Sequence, residues 1–274
     1  MKHLLLVTNV LEEGSTLQYA AKFCQHYKAK LHILNIDDRL DPILVSSPYY
    51  YQKFLFNHKI STTNKVVAEV KSKVGSVLDA EWLDIAVKGG NADGIIKNMI
   101  NDNFIDFILI DKSTIELANL VKYKHLFFDA LPTPLIVIPK FEKFKPFKSF
   151  DFLTTHSMND VKSLKALTGY FPNTKITLTN LVSKEKSESE ISADNKWFDF
   201  VQTETKTKFK YNRSQLQIEQ YINKDNLEIT HTYDGIVFTT KPRNTWSRLL
   251  DPSTTLHMLT SLDTPAFVFK LPLA

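Results

Sequence analysis

The residues best suited to holding an anion in this 274-residue sequence sit close to its C-terminal end. Ser253, Thr254 and Thr255 follow Asp251-Pro252, a setting in which hydroxyls and main-chain N–H groups at a helix start could grip a phosphate. The same residues also form an ordinary proline-and-hydroxyl helix cap, and that plainer reading is preferred. Lys241, Arg243 and Arg248 in the preceding loop, with Lys112, Lys122 and Lys124 in an earlier one, add positive charge. A phosphate-bearing ligand could therefore be held by side chains. Gly89-Gly90-Asn91 ends a strand on the side where open α/β sheets take ligands, although a tight turn explains the pair of glycines more simply.

Other chemistry finds little support. No G-x-S-x-G, G-x-G-x-x-G or Walker A pattern occurs, and no two of the scattered histidines make an H-E-x-x-H or similar metal pair. His231 and Asp234 lie close together, but a turn leading into a strand accounts for them. The single cysteine, Cys24, excludes an intrachain disulfide and a thiolate cage; it shares a helical face with Leu17, Ala20 and Ala21 and reads as a small core residue.

Hydrophobic residues make up 43% and charged residues 23%, the balance of a soluble globular chain, and the net charge of +4 is mild. Nucleic-acid binding would need that charge clustered. The one basic, aromatic-interleaved stretch is Lys140–Lys148, KFEKFKPFK; it reads better as a linker whose phenylalanines dock on the flanking domains than as an RNA contact. The apolar run in MKHLLLV is too short for a signal peptide and no span reaches membrane-crossing length, so a cytoplasmic location is expected.

These residues must be positioned by an alternation of strands and helices. His3–Val10 is a continuous apolar run ending in polar residues, as in a strand covered on both faces. A helix follows from Gly14-Ser15 to about Lys28, with Ser15 as its cap, and then the strand Leu31–Ile36. Asp37–His58 is irregular, and its Tyr49-Tyr50-Tyr51 cluster is read as packing across the edge of the core. Ser61–Val74 is an amphipathic helix, Leu78–Val87 a strand, Ala92–Ile100 a short helix and Phe104–Ile110 a strand. A helix over 114–130 and the strand Leu135–Ile138 complete the set. The cycle then restarts: strand Phe150–Thr155, helix Asn159–Tyr170, strand Lys175–Val182, a charged loop or helix start over 184–194, helix Lys196–Thr203, strand Thr207–Tyr211, helix Gln215–Ile222 and strand Gly235–Thr239. Two runs share one order and a Thr-Pro before their last strand: DFILIDKSTIELANLVKYKHLFFDALPTPLIVIPK and DGIVFTTKPRNTWSRLLDPSTTLHMLTSLDTPAFVFK. Two tandem doubly wound α/β domains with five-stranded parallel sheets follow, over residues 1–140 and 149–274, joined by a linker at 141–148.

Each half resembles a universal stress protein domain, and the whole resembles the tandem form of that family. The marks are LLLVTNVLEEGSTLQYAAKFCQHYKAKLHILNI, VKGGNADGIIKNMINDNFIDFILI and the endings TPLIVIP and TPAFVF. The resemblance implies an adenine nucleotide alpha hydrolase-like sheet of order 3-2-1-4-5 in each half. It also implies an internal pseudo-dimer through the last strands, with a further homodimer open. Members of the family that bind ATP carry a glycine loop after the fourth strand, G-x2-G-x9-G-[ST], because only bare backbone lets N–H groups reach the phosphates. Aligned on Thr264-Pro265, this sequence places Thr239, Pro242 and Pro252 at the three glycine positions and Ser253 in the hydroxyl slot. Two replacements are prolines, which have no N–H to donate. The first half departs further: its loop, from Asp111 to Thr133-Pro134, is shorter, and Val121-Lys122 takes the place of the last Gly-Ser. The family's adenine-side aspartate is replaced by Asn9, and by Thr155 or His156 in the second half.

The resemblance thus leaves Asn9, Ile36 and Asp111 in the first half, and Thr239, Arg248, Ser253 and Thr254 in the second, as candidate nucleotide or anion positions. The expected function is a non-catalytic, cytoplasmic stress-response protein acting through protein partners, without a cofactor and without ATP in the family's usual mode. The alternative is a module binding ATP, AMP or another anion through side chains in place of the glycine loop.

Overall fold

A computed structural model describes residues 2–8, 14–36, 48–89, 92–112, 133–140, 142–181, 187–214, 233–240 and 254–270. The helices expected over 114–130 and 215–222, and the Gly90-Asn91 turn, lie outside them. The chain divides into two compact units, changing over between Phe144 and Lys145 within the stretch read as a linker.

In the first unit, strand β1 (Lys2–Val7) leads to helix α1 (Gly14–Tyr27) and strand β2 (Ala29–Ile36). Helix α2 (Pro48–Val74), strand β3 (Leu83–Lys88), helix α3 (Ala92–Asn103), strand β4 (Phe107–Asp111) and strand β5 (Leu135–Ile138) follow. The strands are parallel in the order β3-β2-β1-β4-β5. Leu4, Leu5 and Leu6 are all fully buried because β1 is flanked on both sides and covered on both faces, which is why its sequence shows no alternation. Leu17, Ala20, Ala21 and Cys24 form the buried stripe of α1.

Several boundaries differ from the sequence reading. Ser15 lies inside the first turn of α1 and is not its cap. Helix α2 begins at Pro48, so the tyrosine triplet is helical. Its N-terminal part lacks the apolar period that betrays Val66, Val70 and Val74, yet no glycine or proline interrupts it before Gly75, and a proline suits a first helical position. Strand β3 starts at Leu83 because a single 3₁₀ turn, Ala80–Trp82, intervenes. Strand β4 starts at Phe107: Phe104 takes φ 50, and Ile105 N–H closes back on the Ile100 carbonyl at 3.4 Å to end α3.

The second unit repeats the plan. Strand β6 (Ser149–Leu153), helix α4 (Met158–Tyr170), strand β7 (Lys175–Leu181), helix α5 (Glu188–Thr205) and strand β8 (Lys210–Ser214) precede strand β9 (Gly235–Thr240), helix α6 (Thr254–Ser261) and strand β10 (Ala266–Lys270). Its order is β8-β7-β6-β9-β10, again parallel throughout. The charged stretch before Trp197 proves to be the first turns of α5. Ser187 accepts from the Glu190 N–H while the Glu190 carboxylate takes the Ser187 N–H, a capping box that starts the helix before its apolar residues begin. The core here is aromatic, with Phe150, Phe152, Phe267 and Phe269 buried. Of the interdomain phenylalanines, Phe144 stands 5.4 Å from the Tyr19 ring in the first unit, and Phe147 stands 5.0 Å from Phe267 in the second.

Candidate functional site

In both units the strand order reverses between the first and fourth strands, β1 and β4 or β6 and β9, and the crevice beyond their carboxyl ends is where such sheets take ligands. Equivalent hydrogen bonds show which residues of the two units correspond. Asp106 accepts the His3 N–H at 2.7 Å, and Asp234 accepts the Ser149 N–H at 2.9 Å. The second residue of each fourth strand donates to the proline of its Thr-Pro pair: Ile108 to Pro134 at 3.0 Å and Ile236 to Pro265 at 2.9 Å. Thr8 donates to Leu34 as Thr154 donates to Thr179. These pairings equate Asn9 with Thr155, and Asp111 with Thr239.

The last equivalence matters most, since Thr239 is the residue that the sequence alignment set against the first glycine of the ATP loop. Asp111 ends β4, is 2% exposed, and accepts the Thr16 hydroxyl from the first turn of α1 at 2.9 Å. Thr239, near the end of β9, donates to the Ser163 hydroxyl on α4 at 2.9 Å. In both units a side chain at this position is tied to the helix that follows the first strand. Neither position presents bare backbone.

The loop after β6 is occupied from within. Asp160, in the first turn of α4 and 2% exposed, directs Oδ2 at the N–H of Thr155 (2.9 Å), the N–H of Ser157 (3.1 Å) and the Thr154 hydroxyl (3.0 Å). Ser157 accepts the Asp160 N–H in return, completing a capping box. The positive end of α4 and the amides of its loop thus already hold a carboxylate.

His156 follows Thr155 with φ 58, a left-handed conformation that L-residues adopt at a cost of about 1–2 kcal/mol. Its ring leaves the crevice for the sheet's far edge. Nδ1 lies 2.9 Å from Asp194 on α5 and Nε2 lies 3.1 Å from the Tyr211 hydroxyl on β8, with the Trp197 ring 4.5 Å away. Arg213 holds the other Asp194 oxygen at 3.2 Å and reaches the Ile191 carbonyl and Asn195. This network pins β8 and α5. Asp194, Tyr211 and Arg213 carry no motif, and only the parallel register of β6, β7 and β8 brings them to His156, so sequence spacing could not have grouped them.

The remaining candidates are dispersed. Ile36 ends β2 as a buried apolar side chain, and Thr254 opens α6. Lys112 directly follows β4. Asn9, Arg248 and Ser253 lie outside the described residues, as do Lys122, Lys124, Lys241 and Arg243. Among the described residues, no group of histidines, cysteines and carboxylates could hold a metal ion, and no helix is long and apolar enough to cross a membrane.

No family model and no curated protein matches the chain. Solved structures do. A universal stress protein from Archaeoglobus fulgidus DSM 4304 aligns over 98% of this chain and 96% of its own, with a TM-score of 0.64 at 14% identity. The chain has the universal stress protein fold in tandem. A structure from Pseudomonas aeruginosa UCBPP-PA14 assigned to the universal stress proteins matches with a TM-score of 0.59 at 14% identity, over 99% of this chain and 93% of its own. A functionally unknown protein from Pseudomonas aeruginosa PAO1 gives 0.58 at 12% identity, over 99% and 92%. The universal stress protein fold therefore spans both units, at a sequence distance that preserves core pattern and little else.

Proposed function

We propose that this chain is a stress-response protein of the universal stress type that works in the cytoplasm through protein contacts, catalyses no reaction and does not bind ATP or AMP in the glycine-loop manner. One observation carries the reading: buried carboxylates, Asp111 and Asp160, stand at the carboxyl edges of the two sheets, where a nucleotide of this fold would lie. A phosphate brought beside either meets like charge in a partly desolvated site, which raises its cost well above that in water. In the second unit it would also have to displace an internal anion that already uses the Thr155 and Ser157 N–H groups. Pro242 and Pro252, between Thr239 and Ser253 in the sequence, have no N–H to add as donors.

The test is a thermal-shift series with ATP, ADP and AMP on the full chain. This reading predicts no shift. A shift that disappears in Ser253→Ala or Arg248→Ala would instead establish the alternative, an adenine-nucleotide or anion module that grips through side chains. A shift insensitive to both variants would show nucleotide held by some other part of the chain.

A further inference from the structure

The amino edge of the first unit holds a cavity of about 420 Å³, on the opposite side of the sheet from the crevice described above. That volume lies within the range of about 300–1,000 Å³ usual for small-molecule sites. Its walls come from the last turns of α1 and from the segment that joins α2 to β3. Cys24 and Leu78, 1% and 7% exposed, supply an apolar floor. Burial pushes the Cys24 thiol well above its usual range, so it faces the cavity as an uncharged surface. Trp82 forms one side, its indole oriented by a 3.0 Å hydrogen bond from Nε1 to Glu81. Gln25 clamps the two segments together through the Val77 carbonyl at 3.0 Å.

Two opposite charges stand among these walls, and both residues are exposed. Lys28 lies just past the end of α1 with φ 52, a conformation that favours glycine, yet the residue there is a lysine and it lines the cavity. Asp79 precedes the 3₁₀ turn, and its side chain makes no capping bond. Among the described residues neither charge is engaged in an ion pair or side-chain hydrogen bond. We infer that this cavity is a binding site for a small zwitterion with an apolar body, of the type of a free α-amino acid with a large hydrophobic side chain. The apolar part rests on Trp82 and Leu78, the carboxylate meets Lys28 and the ammonium meets Asp79. A simple anion would be repelled by Asp79 and a simple cation by Lys28, so the pair of charges selects for both groups on one molecule.

Calorimetric titration of the full chain with L-phenylalanine, phenethylamine and hydrocinnamate tests this, with Trp82 fluorescence read against Trp82→Phe. L-phenylalanine should bind about tenfold more tightly than either singly charged analogue. Lys28→Gln should abolish its advantage over phenethylamine, and Asp79→Asn its advantage over hydrocinnamate. Both positions are exposed, so an unchanged melting temperature in each variant confirms that the fold survives. Equal affinity for the three compounds, binding indifferent to both variants, or no binding of any of them would overturn the inference.

Discussion

Thr16 gives its hydroxyl hydrogen to Asp111 at 2.9 Å, and at the equivalent place in the second unit Thr239 meets Ser163 at the same distance. Two halves with little common sequence have thus each sealed the same corner, where the fourth strand ends against the helix after the first strand. Different side chains do it, a carboxylate with a threonine in one unit and a threonine with a serine in the other. A backbone-lined phosphate cradle needs that corner open.

The Asp111 bond should matter for stability. Asp111→Ala leaves the Thr16 hydroxyl without its buried acceptor, and a loss of about 1–3 kcal/mol is expected. Urea denaturation should show it as a lower midpoint with little change of slope. An unchanged midpoint would mean that the carboxylate is not held as described.

Asp160 accepts from the Thr154 hydroxyl and from the Thr155 and Ser157 amides, so its removal should cost more than that of Asp111. Asp160→Ala strips the cap of α4 and orphans the Thr155 and Ser157 amides, at about 2–4 kcal/mol. Asp160→Asn keeps the shape with weaker acceptance and should fall between the two in thermal midpoint.

Gly235 opens β9 beneath an aromatic cluster. A Cβ there would stand 2.7 Å from Phe150 Cε1 and 2.8 Å from Cδ1, inside any tolerable contact. Gly235→Ala should therefore destabilise by about 1–3 kcal/mol, although alanine suits a strand better than glycine does. The check is calorimetric melting, and a more stable variant would contradict the packing.

A pH effect should arise in the first unit. His32 is 2% exposed, with Nε2 2.9 Å from His3 Nδ1 and Nδ1 3.2 Å from Asp84. Burial lowers its pKa to about 4; Asp84 opposes that shift, while His3 and Lys30 add to it. Below about pH 6.5 the unfolded chain takes up a proton that the native chain refuses, so this contribution to stability is full above that pH and is lost as pH falls toward 4. Urea midpoints should decline across that window, and His32→Gln should flatten the decline. Parallel profiles for the two proteins would exclude His32 as the source.

Much of the fold could be read from the sequence because the strands are buried on both faces. LLLV of β1 and LIVI of β5 are unbroken apolar runs, and the Thr-Pro pairs mark both last strands. What escaped was local. Pro48–His58 is helical through continuity with the well-packed Val66–Val74 stretch, without a period of its own. The start of α5 is written in a serine and a glutamate, not in apolar residues. At the crevice, the missing glycines could be read directly, but the internal carboxylate that fills the loop after β6 could not. Asp160 looks like any polar residue near a helix start until the loop amides are seen to converge on it.

The most direct measurement is mass spectrometry of the small molecules carried by the full chain through purification under native conditions. The account predicts no adenine nucleotide near one equivalent per chain. ATP or AMP retained at close to one equivalent would contradict it, and would require the crevice at Asp111 or Asp160 to open.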